Sequence, residues 1–170
     1  MAIVVMAIVV ATLRRVMGQT DGAATPWPES AHNLSRTGGC QRGAVRYELL
    51  APPLKIYICH CAECRKQSAS AFGISLIVRA KSFALTRGSP QRWCRPTDSG
   101  RTLDCYFCAN CGSRVWHGDA TREETISVKG GSLDDATDVS LAAHIWTSRK
   151  LHGVIIPEHA ERHAREPAVG

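Results

Sequence analysis

Five of the eight cysteines in this chain of 170 residues fall into two tight groups, and this grouping constrains the fold more than any other feature. The first group is a C-x-C-x-x-C run of Cys59, Cys61 and Cys64, and the second is a C-x-x-C pair of Cys108 and Cys111. Sulfur atoms at these spacings converge on one soft ion, and zinc suits them best. The spacing favours metal ligands in a reducing compartment over a disulfide framework.

The first group offers three sulfurs within six residues. Side chains alternate along a strand, so Cys59 and Cys61 point the same way, and Cys64 curls back from the turn that follows. Three protein ligands leave one position on a zinc ion for a substrate, as in catalytic sites. We therefore predict an open zinc site at Cys59, Cys61 and Cys64.

A second interpretation joins the two groups in one closed site. Cys61, Cys64, Cys108 and Cys111 form a C-x-x-C…C-x-x-C pattern, which is typical of a structural zinc. This interpretation leaves Cys40 and Cys59 without a role.

The rest of the chain predicts a single, mainly β domain over residues 38–158. Short segments rich in β-branched and aromatic residues alternate with Gly and Pro turns. The predicted strands are Ala44–Leu50, Leu54–Cys59, Phe72–Val78, Phe83–Thr86, Gln91–Cys94, Arg101–Phe107, Val115–His117 and Thr125–Lys129. Short turns of helix are expected at Ser132–Val139 and Pro157–Arg165.

The ends of the chain are expected to lie outside this domain. Residues 1–37 are an apolar start and a flexible lead-in, and residues 159–170 are a C-terminal tail. Met1–Leu13 is too short to cross a bilayer and lacks the features of a signal peptide, and we expect the translation start to be over-extended. The expected location is the cytoplasm, with no membrane partner.

The formal net charge of +6 comes mostly from arginines spread along the chain. No run of five basic residues occurs, so a nucleic-acid partner is not expected, and the basic surface suits small anions equally well.

Three motifs in order resemble those of the glutathione-dependent formaldehyde-activating enzyme family, which includes the centromere protein V domain. They are the GCQRGAVRY segment at Gly39–Tyr47, CHCAECRK at Cys59–Lys66 and YFCANCGSR at Tyr106–Arg114. The segments Gly131–Asp135 and His144–Trp146 add weaker support.

The resemblance implies a β-tent scaffold pinned by a structural zinc. It assigns a catalytic zinc to Cys59, Cys61 and Cys64, and the structural zinc to Cys40, position 42, Cys108 and Cys111. It also implies a carbon–sulfur lyase that joins glutathione, a small-molecule thiol substrate, to formaldehyde.

The sequence departs from the family at position 42, which is Arg42. A permanent cation cannot bind zinc, so the second site is expected to lack one sulfur and to be weak or empty. Strand alternation would direct the Arg42 side chain to the same place as Cys40. Cys105, Cys94, Asp104 or a water are candidate replacements for the missing ligand.

Four further residues have possible roles near the first group. Arg65 and Lys66 can offset the charge of three thiolates, although both also suit an ordinary surface. His60 and His117 are expected to be structural, with a proton-shuttle role as the alternative.

We expect a zinc-dependent carbon–sulfur lyase that acts on a thiol–aldehyde adduct. The alternative is a non-catalytic, zinc-stabilised interaction module. A methionine sulfoxide reductase of the B type is set aside, because it needs a late cysteine and none follows Cys111.

Overall fold

The computed structural model describes residues 35–167, which form ten strands and one α-helix. The strands are β1 Arg36–Gly39, β2 Arg46–Leu49, β3 Lys55–Cys59, β4 Gly73–Arg79, β5 Phe83–Arg87, β6 Gln91–Pro96, β7 Thr102–Phe107, β8 Arg114–His117, β9 Thr125–Lys129 and β10 Ala143–Ile145. The helix α1 spans Ala62–Ser68, and 3-10 turns occupy Ala80–Ser82, Gly130–Ser132 and Thr147–Arg149.

The strands form two sheets. A seven-stranded sheet has the order β10-β3-β4-β9-β8-β7-β6, and a three-stranded sheet has the order β1-β2-β5. Neighbouring strands are antiparallel, except that β10 runs parallel to β3. The mainly β fold predicted from the sequence is confirmed.

The core lies between the two sheets. Side chains along a strand point alternately to its two faces, so each sheet directs one set of buried residues into the space between them. The three-stranded sheet contributes Tyr47 and Leu49 from β2. The larger sheet contributes buried side chains from three neighbouring strands, namely Leu76, Val78, Val115, Trp116, Ile126 and Val128. The ring of Tyr47 stacks on Phe83, which in turn contacts Trp116. These contacts connect the two sheets through aromatic side chains.

The prediction of short helical turns at Ser132–Val139 and Pro157–Arg165 is wrong. Beyond the 3-10 turn that ends at Ser132, residues 133–139 are not helical, and residues 157–165 contain turns without a helix. Instead, Glu161 and His163 bond to the backbone of His144 in β10, and Trp146 donates to Arg165. The segment 161–165 thus takes its backbone hydrogen bonds from the sheet rather than from a helix of its own.

The predicted apolar start, Met1–Leu13, lies outside the described residues. Within residues 35–167, none of the helices has the length and apolar character to cross a membrane.

The backbone of Gly38 in β1 lies so close to the core that no side chain would fit at this position. A Cβ atom at Gly38 would lie 2.4 Å from the ring of Tyr47 and 2.6 Å from the carbonyl oxygen of Ser132. Tyr47 is fully buried, and its hydroxyl group is 2.8 Å from the Oγ atom of Ser132. The small residue therefore allows β1 to pack on Tyr47.

We predict that Gly38→Ala lowers the free energy of unfolding by about 1–3 kcal/mol, because the added methyl group must displace Tyr47 or the backbone. Gly131→Ala is the matched control, since a Cβ atom there meets nothing within 4 Å. Urea unfolding of the two variants measures the difference. Equal stability of the two variants would contradict the packing described for β1.

Candidate metal centres

The described residues gather six cysteine sulfurs into two triads. In each triad the sulfur atoms lie within 4.8 Å of one another. The first triad is Cys59, Cys61 and Cys64, and the second triad is Cys40, Cys108 and Cys111. The single four-cysteine site that joined Cys61 and Cys64 to Cys108 and Cys111 is therefore wrong, because these two pairs belong to different triads.

The first triad forms where β3 ends and α1 begins. Cys59 is the last residue of β3, and Cys61 is the N-cap of α1 in an extended conformation. The N–H group of Cys64 donates to the Cys61 sulfur at 3.3 Å, which brings the third cysteine back to the strand end. The sequence pattern missed this seven-residue helix, which buries none of its residues and so shows no apolar stripe.

Gly73 in β4 makes room for Cys64. It pairs with Cys59 across the β3–β4 ladder, and a Cβ atom at Gly73 would lie 3.1 Å from the Cβ atom of Cys64. A residue without a side chain at this register position therefore lets Cys64 lie over the end of the strand.

The three thiols of the first triad do not ionise alike. Contact with the Cys59 and Cys64 thiols lowers the pKa of Cys61, whereas contact with Cys61 and Cys64 raises the pKa of Cys59. Cys61 is thus the first of the three to become a thiolate. Cys59 is buried, and Cys61 and Cys64 are only partly buried.

Lys129 is a cation near the first triad that the sequence analysis missed. It is the last residue of β9 and its Nζ atom is 3.4 Å from the hydroxyl of Ser75. Burial lowers the pKa of Lys129, and the negative charge of a Cys64 thiolate opposes that effect. The expected cation Lys66 is instead exposed and pairs with Glu63 at 3.5 Å. The sequence carries no local signal for Lys129, because only the β4–β9 pairing places it there.

The two histidines differ in their surroundings. His60 is fully buried and stacks on His144, with 2.9 Å between the Nε2 atom of His60 and the Nδ1 atom of His144. Burial lowers the pKa of His60 to about 4. Burial, together with the charge of Lys129 and other cations, lowers the pKa of His117 to about 2, so this ring is neutral at physiological pH.

The second triad connects the two sheets. Cys40 follows β1 of the smaller sheet, whereas Cys108 and Cys111 lie in the turn between β7 and β8 of the larger one. Cys40 and Cys108 are buried. Hydrogen bonds from the hydroxyl and N–H of Ser113, and from the N–H of Arg42, lower the pKa of Cys111 to about 6. An ion held here would tie one sheet to the other.

The prediction that strand alternation directs the Arg42 side chain to the same place as Cys40 is wrong. The strand β1 ends at Gly39, and Arg42 is an exposed residue of the turn that follows. None of the proposed replacement residues belongs to the second triad. Cys105 is buried elsewhere in β7, and Cys94 is exposed and bonded to Asp104 at 2.9 Å. The described residues thus supply three sulfurs to this site.

Two cavities meet beside the first triad. The larger cavity has a volume of about 910 Å³, and the smaller has a volume of about 490 Å³. Cys59, Cys61 and Cys64 all line the smaller cavity, together with His117 and Arg95 among other residues. Among the described residues, Cys64 and Lys129 are the two that line both cavities. Ligands in either cavity can therefore reach the first triad.

Both triads have the donor chemistry of a zinc site. Each consists of sulfur atoms close enough to share one ion, and thiolates select soft or borderline cations such as zinc. The N–H bonds to Cys61 and Cys111 favour the thiolate form that a metal requires. The two triads can each hold a metal ion.

Two comparisons relate the chain to known proteins. A family model described as glutathione-dependent formaldehyde-activating enzyme matches residues 35–149. A crystal structure of a Rhodobacter sphaeroides protein shares 22% sequence identity with the chain, with a TM-score of 0.48. That alignment covers 64% of this chain and 98% of the other.

We predict that Arg42→Cys strengthens metal binding at the second triad. The N–H group of Arg42 already bonds to the Cys111 sulfur, so a thiol at this position lies near the other three. Each tenfold gain in metal affinity adds about 1.4 kcal/mol to the free energy of unfolding in excess metal. Zinc content after dialysis against a chelator, and the Tm in excess zinc, measure the effect.

The control for this variant is Arg42→Ser, which removes the same guanidinium without adding a sulfur. The prediction is contradicted if Arg42→Cys loses zinc as fast as the wild type, or if Arg42→Ser gives the same gain.

Proposed function

The chain belongs to the glutathione-dependent formaldehyde-activating enzyme family, and from this premise we propose that it is a zinc-dependent carbon–sulfur lyase. Its substrate in this proposal is the adduct of glutathione with a small aldehyde. The observation that carries the proposal is the position of the first triad, whose three cysteines all line the smaller cavity and include two that are only partly buried. The second triad, with two buried sulfurs, suits a structural ion instead.

Cys59, Cys61 and Cys64 would hold the zinc ion, and the zinc would lower the pKa of the substrate thiol and fix its position. Three protein thiolates and a substrate thiolate place more negative charge here than one divalent cation neutralises. Lys129 and Arg95 line the smaller cavity beside the triad and offset that excess.

The bond changes in the proposed reaction are simple. The thiol sulfur loses its proton and forms a bond to the carbonyl carbon, and the carbonyl oxygen takes up a proton to become a hydroxyl group. The reverse reaction breaks the carbon–sulfur bond and returns the thiol and the aldehyde. The chain must hold the sulfur and the carbonyl oxygen in fixed positions for either direction.

His117 is the proposed partner of the carbonyl oxygen. It lines the smaller cavity, and its buried Nε2 atom has no hydrogen-bond partner within residues 35–167. Its low pKa keeps the ring neutral, so it serves as a hydrogen-bonding group that orients the oxygen rather than as a strong base. We propose that the protein works in the cytoplasm, where a reducing environment keeps both triads as thiols.

We predict that the zinc-loaded protein accelerates exchange between S-hydroxymethylglutathione and its free components, measured as exchange cross-peaks in NMR. Cys64→Ser should reduce this exchange to the buffer rate, because the first triad loses a ligand. Cys94→Ser is the matched control, since Cys94 is exposed and bonds to Asp104 away from both triads. If the wild-type protein exchanges no faster than buffer, the lyase proposal fails and a non-catalytic interaction module replaces it.

A further inference from the structure

The smaller cavity lies over the face of the seven-stranded sheet that is turned away from the core. In β4, Ser75 and Ile77 line this cavity, whereas Leu76 between them belongs to the core. The strand β9 shows the same alternation around Val128. Because successive side chains of a strand point to opposite faces, the cavity and the core lie on opposite sides of one sheet. Strand pairing therefore fixes the floor of the cavity.

The strand order divides the lining of this cavity into two halves. On one side, β9, β8 and β6 supply mostly polar residues, and β7 adds Leu103. On the other side, the neighbouring strands β10, β3 and β4 supply mostly apolar residues. Four apolar residues that line the cavity keep part of their surface accessible, and we call them the apolar wall: Tyr57, Ile77, Trp146 and Pro167.

Trp146 of the apolar wall is held in an unusual backbone conformation. Its φ angle is 57°, in the left-handed region that bulky residues rarely adopt. Its N–H group donates to the carbonyl oxygen of Arg165 at 3.3 Å, and the guanidinium carbon of Arg149 lies 4.6 Å from the centre of its ring. Such conformations persist where their surroundings enforce them, and they cluster at ligand sites. The position of this indole ring is therefore specified rather than incidental.

Pro167 of the apolar wall comes from beyond the part of the chain that the family model matches, which ends at residue 149. Contacts just before it hold this segment against the larger sheet. The N–H group of Thr147 donates to the carbonyl oxygen of His163 at 3.1 Å, and Lys55 of β3 pairs with Glu161 at 2.6 Å. The apolar wall is thus completed by residues that lie outside the family match.

The size of the smaller cavity exceeds what formaldehyde needs. Its volume of about 490 Å³ lies within the range of about 300–1,000 Å³ that is typical of small-molecule sites. Formaldehyde has a single carbon atom and no substituent that could contact the apolar wall. An apolar substituent that packs against this wall leaves water, which favours binding.

We propose that the carbonyl reactant in the smaller cavity is an aldehyde with an apolar ring or short chain, which packs against the apolar wall. This inference rests on the proposed lyase function and names the class of its second substrate. The carbonyl oxygen faces the polar half of the cavity, where His117 lies, and the carbonyl carbon lies beside the first triad. As with formaldehyde, the carbon–sulfur bond forms, the thiol loses its proton, and the carbonyl oxygen takes up a proton.

The binding test uses benzyl alcohol, which has the ring and the oxygen of benzaldehyde but no reactive carbonyl group. Saturation-transfer NMR with the zinc-loaded protein gives the Kd. Trp146→Gly should raise this Kd about tenfold, because the ring of the probe loses an aromatic partner. Trp93→Ala is the matched control and should leave the Kd within about twofold. Trp93 is also a partly exposed tryptophan, but it lines neither of the two cavities.

The variants are chosen so that a loss of binding is not a loss of folding. Glycine adopts a φ angle of 57° without strain, so Trp146→Gly keeps the backbone conformation of this position. Ile77→Thr retains a β-branched residue in β4 and Pro167→Ser changes one residue near the end of the chain, and each should raise the Kd about threefold. Circular dichroism of all the variants should match that of the wild type.

The exchange reaction provides a second measurement, in which each aldehyde reacts with glutathione. The wild type should have a higher kcat/KM for benzaldehyde than for formaldehyde. Trp146→Gly should lower the ratio of the two values about tenfold, whereas Trp93→Ala should leave it unchanged. A general loss of structure would lower both values together and would not change their ratio.

A wild-type protein that does not bind benzyl alcohol would overturn the inference, and so would an equal loss of binding in Trp146→Gly and Trp93→Ala. Exchange of formaldehyde without binding of benzyl alcohol would keep the lyase function and remove the apolar site. Binding of benzyl alcohol that depends on Trp146 and Ile77, without exchange of either aldehyde, would support the apolar site and overturn the lyase function.

Discussion

The close approach of three thiols, repeated at two places, is the constraint on which the rest of this structure depends. Sulfur atoms within 4.8 Å of one another repel strongly once they ionise, and a bound cation removes that cost. The cysteines come together where strands end. The sheets fix the position of the backbone there, and the turns that follow bring the remaining sulfur atoms close. Cys59 ends β3 and Cys40 follows β1, so each triad takes its first sulfur from the end of a strand.

The two triads differ in what surrounds them, and the roles that we propose for them follow from this difference. The second triad joins the three-stranded sheet to the β7–β8 turn of the larger sheet, and two of its sulfurs are buried. The first triad lies within β3 and the start of α1, so it joins no distant parts of the chain. All three of its cysteines line the smaller cavity, with Lys129 beside them, whereas the second triad borders only the larger of these two cavities, through Cys40. We therefore connect the second triad with stability and the first with chemistry.

Much of this arrangement follows from local sequence. Cysteine spacing alone indicated a three-sulfur group at residues 59–64, and alternating β-branched residues indicated most of the strands. The strands β1 and β10 were not predicted. Their sequences, Arg-Thr-Gly-Gly and Ala-His-Ile, carry weak strand signals, and they become strands by pairing with β2 and β3. The position of Lys129 was not predicted either, because only the pairing of β4 with β9 brings it beside the first triad. The roles of Cys59, Cys61 and Cys64 in catalysis remain predictions.

Crystals of the zinc-loaded protein grown with glutathione, with data collected at the zinc absorption edge, test the central claim most directly. We expect an anomalous peak among the sulfurs of Cys59, Cys61 and Cys64, with the glutathione sulfur bound at about 2.3 Å as the fourth ligand. A zinc ion at this triad whose fourth ligand is a protein side chain would contradict the account, because the site would then be closed to a substrate.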